Sequence, residues 1–332
     1  MTRRRPRRKV RGVTAHRGRT AVPAKPAAAL TEAEFRELYD GLRAQLPWGK
    51  ADRRGALNYL TAAGTLAAAR GVRHGRSVSL AAPIGHQVTP DNPDPARHEM
   101  TGTGTDADPT GLSFATDRIA MNIHGDADSH IDALCHVIYD QALYNDVPAN
   151  RVTQDGAAEL SIAAAADGIV GRGVLLDIPG LRGVPWLEPG DYVTTDDLLA
   201  AEEAQQVRFG RGDLLFVRVG HRLRRAARGP WDAAAERAGL HPTVLPLLAE
   251  RQIAVLGSDS NNDTAGASTR GVDFPVHVLA IKALGLQLLD YLQFATLLPL
   301  CERHRQWSFL CVIAPLRLPK GTGSPINPIA IL

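Results

Sequence analysis

The sequence predicts a mixed α/β fold in a single domain, and three observations carry this prediction. Short β-rich runs and helical patterns follow one another irregularly, without the strict alternation of an α/β barrel. No internal repeat divides the 332 residues. A hydrophobic content of 44% is enough to fill a substantial core.

Helical patterns begin near residue 31. Thr31 and Glu34 form the pattern of a capping box, and Phe35 and Leu42 belong to an apolar stripe at helical spacing that Gly41 and Pro47 are expected to end. An alanine-rich segment predicts a second helix over 61–70, ending at Gly71. Three further helices are expected over 195–204, 242–251 and 276–289.

Strands are predicted wherever β-branched and aliphatic residues cluster in short runs. These runs cover 78–82, 118–123, 173–178, 213–219, 253–257 and 309–318. Between the first two lies a segment rich in Pro, Asp and Thr, over 90–111. A loop of this length indicates a role at the site or at an interface.

Residues 1–27 contain ten Lys or Arg and no acid, which leaves 28 basic against 35 acidic residues in the remainder. A segment with this many basic residues and prolines cannot bury enough apolar surface to fold. We therefore expect a disordered tail over 1–27 and one domain over 28–332. The tail could touch nucleic acid or simply be solvated. It carries no interleaved aromatic residues for base stacking, which favours the second interpretation.

Composition limits the other classes of protein. Three cysteines leave one unpaired in any scheme, which indicates a reducing compartment, and we expect a cytoplasmic protein. No run approaches the roughly 20 apolar residues of a membrane span. The sequence contains neither GxGxxG after a strand nor GxxxxGK[ST], so no motif supports nucleotide binding. It also lacks the G-x-S-x-G motif of a nucleophile elbow, which makes covalent catalysis a weaker hypothesis.

The densest group of metal-binding residue types lies in 124–136. If this segment is extended, alternation puts His124, Asp126, Asp128, His130 and Asp132 on one face. Mixed nitrogen and oxygen donors suit Zn²⁺, Mn²⁺ or Fe²⁺. Asp side chains that cap turns and surface histidines in a polar loop would give the same pattern, and spacing alone does not separate the two.

More distant donors would have to complete such a centre. His277 opens a predicted apolar helix and Asp290 lies thirteen residues later, near its far end. A helix of that length spans about 20 Å, so both can reach one metal only if the helix ends before Asp290 and the chain turns back. Asp177 and Asp259 follow strands, where they suit either functional loops or turn capping.

The motif His130-x-Asp132-x-x-x-His136 resembles the central motif of the cyclase family, which includes kynurenine formamidases and isatin hydrolases. The resemblance covers roughly 46–332 and continues, in the order of the family's longer-chain branch, through Trp48-Gly49, Gly55–Thr61, Ala238–Pro242, Leu256–Asp263, Pro275–His277 and Gly321–Pro328.

The resemblance implies a swivelling β/β/α fold with a mixed sheet, an oligomer such as a homodimer or homotetramer, and one or two divalent metal ions, Zn²⁺ or Mn²⁺. It implies His130, Asp132 and His277 as ligands and His136 as the acid/base. His124 and Asp126 stand where the family has a further ligand. Trp48 and Asn58 are implied as substrate-binding residues, and Asp290 and Asp259 as additional or alternative ligands.

Two departures from the family pattern concern the metal. Formamidases place a further His four residues before the central one, where this chain has Asp126, and a Glu after the later His, where it has Asp290. Carboxylate in place of imidazole favours Mn²⁺ or Mg²⁺ relative to Zn²⁺.

Three functions are compatible with these residues. The first is a hydrolase that opens an amide or lactam C–N bond of a small cyclic or aromatic substrate by metal-activated water. The second is a cyclase that closes a ring or dehydrates in a natural-product pathway. The third is a binding protein without catalysis that docks through its basic tail.

Overall fold

The computed structural model describes residues 28–105, 110–266 and 268–332. The predicted disorder of the basic tail concerns residues outside these ranges. The helices are α1 Glu32–Ala44, α2 Ala62–Arg70, α3 Ile178–Arg182, α4 Thr195–Gln205, α5 His221–Arg228, α6 Leu245–Arg251, α7 Pro275–His277 and α8 Leu298–His304. None of these helices is long and apolar enough to cross a membrane.

The first helix shows why the sequence pattern predicts it well. Thr31 Oγ1 accepts a hydrogen bond from Glu34 N–H at 3.2 Å, and the Glu34 carboxylate accepts one from Thr31 N–H at 2.8 Å. The apolar stripe buries Phe35 and Leu42 against the core. The helix continues through Gly41 to Ala44, because a glycine costs only about 1 kcal/mol inside a helix that packing already holds.

The strands are β1 Ser77–Ser79, β2 Arg97–Gly102, β3 Thr116–Ala120, β4 His130–Asp132, β5 Val152–Thr153, β6 Gly156–Ala157, β7 Ile169–Asp177, β8 Tyr192–Val193, β9 Leu214–Arg218, β10 Gly239–Leu240, β11 Val255–Ser258, β12 Gln287–Asp290, β13 Ser308–Ile313, β14 Gly323–Pro325 and β15 Ile329–Ile331. Nine form one mixed sheet in the order β1-β15-β13-β7-β9-β11-β12-β4-β14. The neighbouring strands β7, β9, β11 and β12 are parallel, and antiparallel strands flank them.

Chain connectivity forces this sheet to curl. Strands β14 and β15 are seven positions apart in the sheet. With about 4.8 Å between neighbouring strands, they would lie about 34 Å apart if the sheet were flat. The linker 326–328 between them spans at most roughly 14 Å. The two edges therefore approach each other, and Ser79 of β1 donates a hydrogen bond to Asn327 in that linker at 2.6 Å.

The parallel strands supply the core. Every residue of β9 and β11 is buried, as is the second half of β7 around Leu175. Because the residues on both faces of these strands are buried, the strands are continuous apolar runs rather than alternating ones. The mixed α/β single-domain prediction is confirmed by this architecture.

Two local predictions were wrong. The helix expected over 276–289 ends early: a π-helical turn Val278–Ala283 follows α7, Gly285 adopts a positive φ of 65°, and β12 begins at Gln287. Sheet pairing outweighed helical periodicity there, since β12 is a buried interior strand. The loop expected over 90–111 contains β2, which pairs with β3 as an exposed hairpin.

Candidate metal centre

Strand β4 positions the first two donors. It spans three residues between β12 and β14, so alternation puts His130 and Asp132 on one side and the buried Ile131 on the other. Antiparallel register places Asp290 of β12 directly opposite His130. The extended face expected from His124 onward is thus limited to His130 and Asp132.

The chain reversal after α7 brings in the remaining donor. Because the helix ends before Asp290 and β12 runs back along β4, His277 Nε2 lies 3.3 Å from Asp290 Oδ2. The helix thus ends before Asp290 and the chain turns back, which is the condition under which His277 and Asp290 can reach one metal ion. Residues thirteen positions apart therefore converge, although a continuous helix would have held them about 20 Å apart.

Four side chains lie close together. His277 Nε2 is 3.4 Å from Asp132 Oδ2, and His130 Nε2 is 3.7 Å from Asp132 Oδ1 and 4.0 Å from Asp290 Oδ2. Ligand atoms held at about 2.0–2.2 Å from a single ion lie roughly 3–4 Å from one another. Asp132, His277 and Asp290 form one compact donor group, and His124, His130 and Asp132 form a second that shares Asp132.

Buried polar atoms test whether these residues fit a metal. Asp132 Oδ2 is fully buried and accepts no hydrogen bond within the described part of the chain, an arrangement that is costly without a cation. Each histidine uses its Nδ1 elsewhere: His130 contacts the Asp128 carbonyl at 2.8 Å and His277 the Asp263 carboxylate at 2.6 Å. Their Nε2 atoms are thereby free to face the centre, as in metal-binding histidines.

Electrostatics agrees with this interpretation. Burial opposes protonation of His277, but the carboxylates of Asp132, Asp263 and Asp290 raise its pKa well above the usual value. Burial also opposes ionisation of Asp132, but the surrounding imidazoles, led by His136, hold its pKa well below the usual range. The carboxylates therefore create a strong field for a positive charge, and the mixed donors suit a divalent ion.

Sequence analysis missed the residues that orient two of the donors. Asn261 and Asn262 donate side-chain hydrogen bonds to the two oxygens of Asp290, at 2.7 and 2.5 Å. Asp263 accepts from the backbone N–H of Val276 and His277 besides the His277 ring. Their position just after a parallel strand was the available signal, because such loops gather at the carboxyl edge of the sheet.

His136 and His124 lie beside the four donors. Their rings stack at 3.8 Å between centroids; His136 Nε2 is 4.0 Å from Asp132 Oδ1, and His124 Nδ1 is 2.8 Å from the same oxygen. Burial lowers the pKa of His136 to about 4 against the opposing effect of Asp132. The imidazole of His136 is therefore neutral at pH 7.

Two carboxylates from the sequence-derived set are engaged elsewhere. Asp126 accepts a hydrogen bond from Tyr291 Oη at 2.6 Å and lies 3.7 Å from Arg237, outside both donor groups. Asp259 accepts backbone hydrogen bonds from Val219 at 2.7 Å and Gly220 at 3.0 Å. Asp126 still lines the cavity at the centre, whereas Asp259 supports the end of β9.

The structure does not bring Trp48 and Asn58 into this cavity. The Trp48 ring packs 4.6 Å from that of Tyr59, and Asn58 donates its side-chain amide to Asp52 at 2.6 Å. Their expected role in substrate binding therefore has no support from the lining of the cavity. Both residues stabilise the segment between α1 and α2.

The centre opens into a cavity of about 510 Å³. His130, His136, His277 and Asp290 occupy one part of its wall. The rest contains the apolar residues Val137, Ile138, Tyr139, Val272, Phe274 and Val278 and the polar residues His124, Asp126, Asn261 and Asp273. A concave site that combines apolar side chains with convergent polar groups is typical of a binding site for a small molecule.

A curled mixed sheet with a histidine–carboxylate centre beside an apolar cavity defines a class of protein, and comparison with known proteins identifies it. The family model described as Putative cyclase matches residues 78–262. A crystal structure described as a novel cyclase has 30% sequence identity and a TM-score of 0.78, over 89% of this chain and 99% of that one. The chain belongs to the cyclase family.

Two isatin hydrolases share the fold at lower identity. One, bound to the product analogue thioisatinate, is 20% identical with a TM-score of 0.53, over 82% of this chain and 99% of that one. Isatin hydrolase A from Ralstonia solanacearum is 22% identical with a TM-score of 0.54, over 82% and 97%. No curated protein matches the chain significantly.

Proposed function

We propose that the protein is a metal-dependent hydrolase that cleaves an amide, lactam or related C–N bond in a small cyclic or aromatic molecule. The observation that carries the proposal is the proximity of His130, His277 and Asp290 to Asp132, whose Oδ2 is buried and accepts no hydrogen bond within the described part of the chain. Zn²⁺ and Mn²⁺ are the ions that this mixture of imidazole and carboxylate favours. Two isatin hydrolases with the same fold agree with a reaction at a lactam carbonyl.

Different residues of the site would have different roles in such a reaction. His130, Asp132, His277 and Asp290 would hold a divalent ion, which would supply Lewis acidity and would lower the pKa of bound water to about 7. The neutral imidazole of His136 accepts a proton at the edge of the centre and returns it to the leaving nitrogen. Asp263, Asn261 and Asn262 hold His277 and Asp290 in place, so little reorganisation is required during the reaction.

The walls of the cavity set the class of substrate. Phe274 lies with its ring 5.7 Å from His277, and Tyr139 and Val272 contribute further apolar surface. A planar aromatic or cyclic body fits such a wall, with its carbonyl directed to the histidines and carboxylates. Apolar surroundings also exclude water that would compete for the polar groups.

The test combines metal content with turnover. We expect elemental analysis to find Zn²⁺ or Mn²⁺ in the purified protein, and His130→Ala and Asp132→Ala each to lose both the ion and hydrolysis of isatin or of a formyl-aryl amide. His304→Ala, an exposed histidine of α8, is the matched control and should retain both. Full activity in a metal-free variant would contradict the proposal.

Ring closure is the second candidate, because the relative with 30% identity is described as a cyclase. The same site could serve it, since activation of a carbonyl and movement of a proton are common to both reactions. An enzyme committed to cyclisation should leave isatin and the formyl-aryl amide untouched although it binds metal. That result would replace hydrolysis with cyclisation and keep the metal centre.

A further inference from the structure

A second cavity lies on the other side of the segment 125–128. It has a volume of about 610 Å³, and we call it the Arg222 cavity after a residue of α5 in its wall. Ile84, Asn92, Asp128, Arg222 and Arg225 are among its lining residues, none of which lines the cavity at the metal centre. Its size falls within the range of small-molecule sites, about 300–1,000 Å³.

Two opposite charges in the wall of this cavity are not paired with each other. The Arg222 guanidinium has no carboxylate oxygen within 4.0 Å among the described residues, and its hydrogen bonds go to the carbonyls of Ala127, Tyr291 and Leu292. Burial lowers the pKa of Arg222 to about 10, against the opposing effect of the Asp259 and Asp128 carboxylates. A half-buried guanidinium whose hydrogen bonds all go to backbone carbonyls has unused capacity for an anion.

Asp128 is the complementary group. Its side chain is 6% exposed, and the hydrogen bond that it accepts comes from Gly85 N–H to Oδ1 at 3.0 Å. No Lys, Arg or His nitrogen of the described chain lies within 4.0 Å of this carboxylate. By contrast, Arg225 in the same wall is neutralised by Asp91 through two hydrogen bonds. Among the described residues of this wall, the charged groups without an ion pair within 4.0 Å are thus one cation, Arg222, and one anion, Asp128.

The wall of the Arg222 cavity also contains apolar side chains. Pro83, Ile84, Ala226 and Pro230 supply aliphatic surface beside the charged groups. Ile84 is partly exposed at 37%, so the apolar part opens toward solvent. A ligand that satisfies this wall therefore carries a carboxylate, a cationic hydrogen-bond donor and an apolar group.

We infer that the Arg222 cavity binds a free α-amino acid with an apolar side chain, the carboxylate against Arg222 and the ammonium group against Asp128. Such a zwitterion supplies both missing partners from one carbon atom and keeps the site electrically neutral. Arg222 also donates to the carbonyls of Ala127 and Tyr291, the neighbours of Asp126 and Asp290. The ligand would therefore be connected through Arg222 to the backbone next to Asp126 and Asp290.

Isothermal titration calorimetry with matched compounds tests the inference. Leucine is compared with 4-methylpentanoate, which lacks the amine, and 3-methylbutylamine, which lacks the carboxylate; phenylalanine is compared with 3-phenylpropanoate and 2-phenylethylamine. We expect leucine or phenylalanine to bind saturably and its two analogues to bind at least roughly ten-fold more weakly, because each loses a charged hydrogen bond. Absence of binding by both amino acids, or an analogue that binds equally, overturns the inference.

Variants on α5 locate the binding. Ala226→Trp fills the opening of the cavity and should abolish binding, whereas Ala227→Trp, the next exposed residue on the same helix, should leave it intact. Asp128→Asn retains an oxygen that accepts the hydrogen bond from Gly85 N–H, and it should weaken the binding of the amino acid roughly ten-fold. Unchanged affinity in Ala226→Trp would place binding elsewhere, including chelation at the metal centre, and would refute the inference.

Discussion

Replacing Asp263 with Asn tests whether the orientation of His277 determines metal affinity. The Asp263 carboxylate accepts hydrogen bonds from Val276 N–H at 2.7 Å, His277 N–H at 2.9 Å and His277 Nδ1 at 2.6 Å. An amide has one acceptor oxygen in place of two, so it loses the charged bond to the ring or directs its NH₂ at a backbone N–H. Loss of such a partner of a ligand costs about 10–100-fold in metal affinity.

That loss corresponds to about 1.4–2.8 kcal/mol of binding free energy. A buried amide with an unsatisfied group should also lower the free energy of unfolding by about 1–3 kcal/mol. Metal affinity is measured by competition with a chelating dye and stability by urea unfolding of the metal-free protein. The two measurements separate loss of orientation from loss of folding.

Asp259→Asn is the matched control. Asp259 lies four residues earlier, is equally buried and also accepts two backbone N–H groups, but contacts neither histidine nor carboxylate of the centre. It should lower stability by a similar amount and leave metal affinity within about two-fold. If both variants lose metal equally, or if Asp263→Asn retains full affinity, the assignment of Asp263 as a positioning residue is wrong.

Three further outcomes are expected. Gly239→Ala places a Cβ 2.4 Å from the Asp263 carbonyl carbon, so thermal denaturation should show a loss of about 1–3 kcal/mol, and dye competition a loss of metal affinity. Burial lowers the pKa of His221 to about 3, so on acidification the unfolded chain binds a proton at this residue before the folded protein does. The contribution of neutral His221 to the free energy of unfolding should therefore be fully present above pH 6.5 and should fall by up to about 1.4 kcal/mol per pH unit toward pH 3. Urea titrations should find this slope reduced in His221→Phe. Chelation should lower the melting temperature, since metal at 100 times its Kd stabilises by about 2.7 kcal/mol, and no shift would argue against a bound ion.

Local patterns determined part of this protein without tertiary information. The capping box at Thr31 predicted α1 because its hydrogen bonds lie within four residues of sequence. Aliphatic runs predicted β7, β9 and β11, since parallel strands are buried on both faces. The spacing of His130 and Asp132 determined that both side chains leave the same side of a strand.

Periodicity misled where packing prevailed. The apolar run after His277 has helical spacing, but its last part pairs with β4 in the interior of the sheet. The Pro-rich segment before residue 111 suggested a loop, and part of it is β2. Neither outcome was available from local preference, because strand pairing depends on residues far away in sequence.

The sequence alone determined the residue types of the candidate site and the strand that carries two of them. Only the tertiary structure decided which distant residues join them, because the approach of His277 and Asp290 depends on the chain reversal at Gly285 and on the register of β12 against β4. It likewise assigned Asp126 and Asp259 to other partners and separated Trp48 and Asn58 from the cavity. A shared centre requires donor atoms within about 4 Å, and long-range packing sets distances of that size.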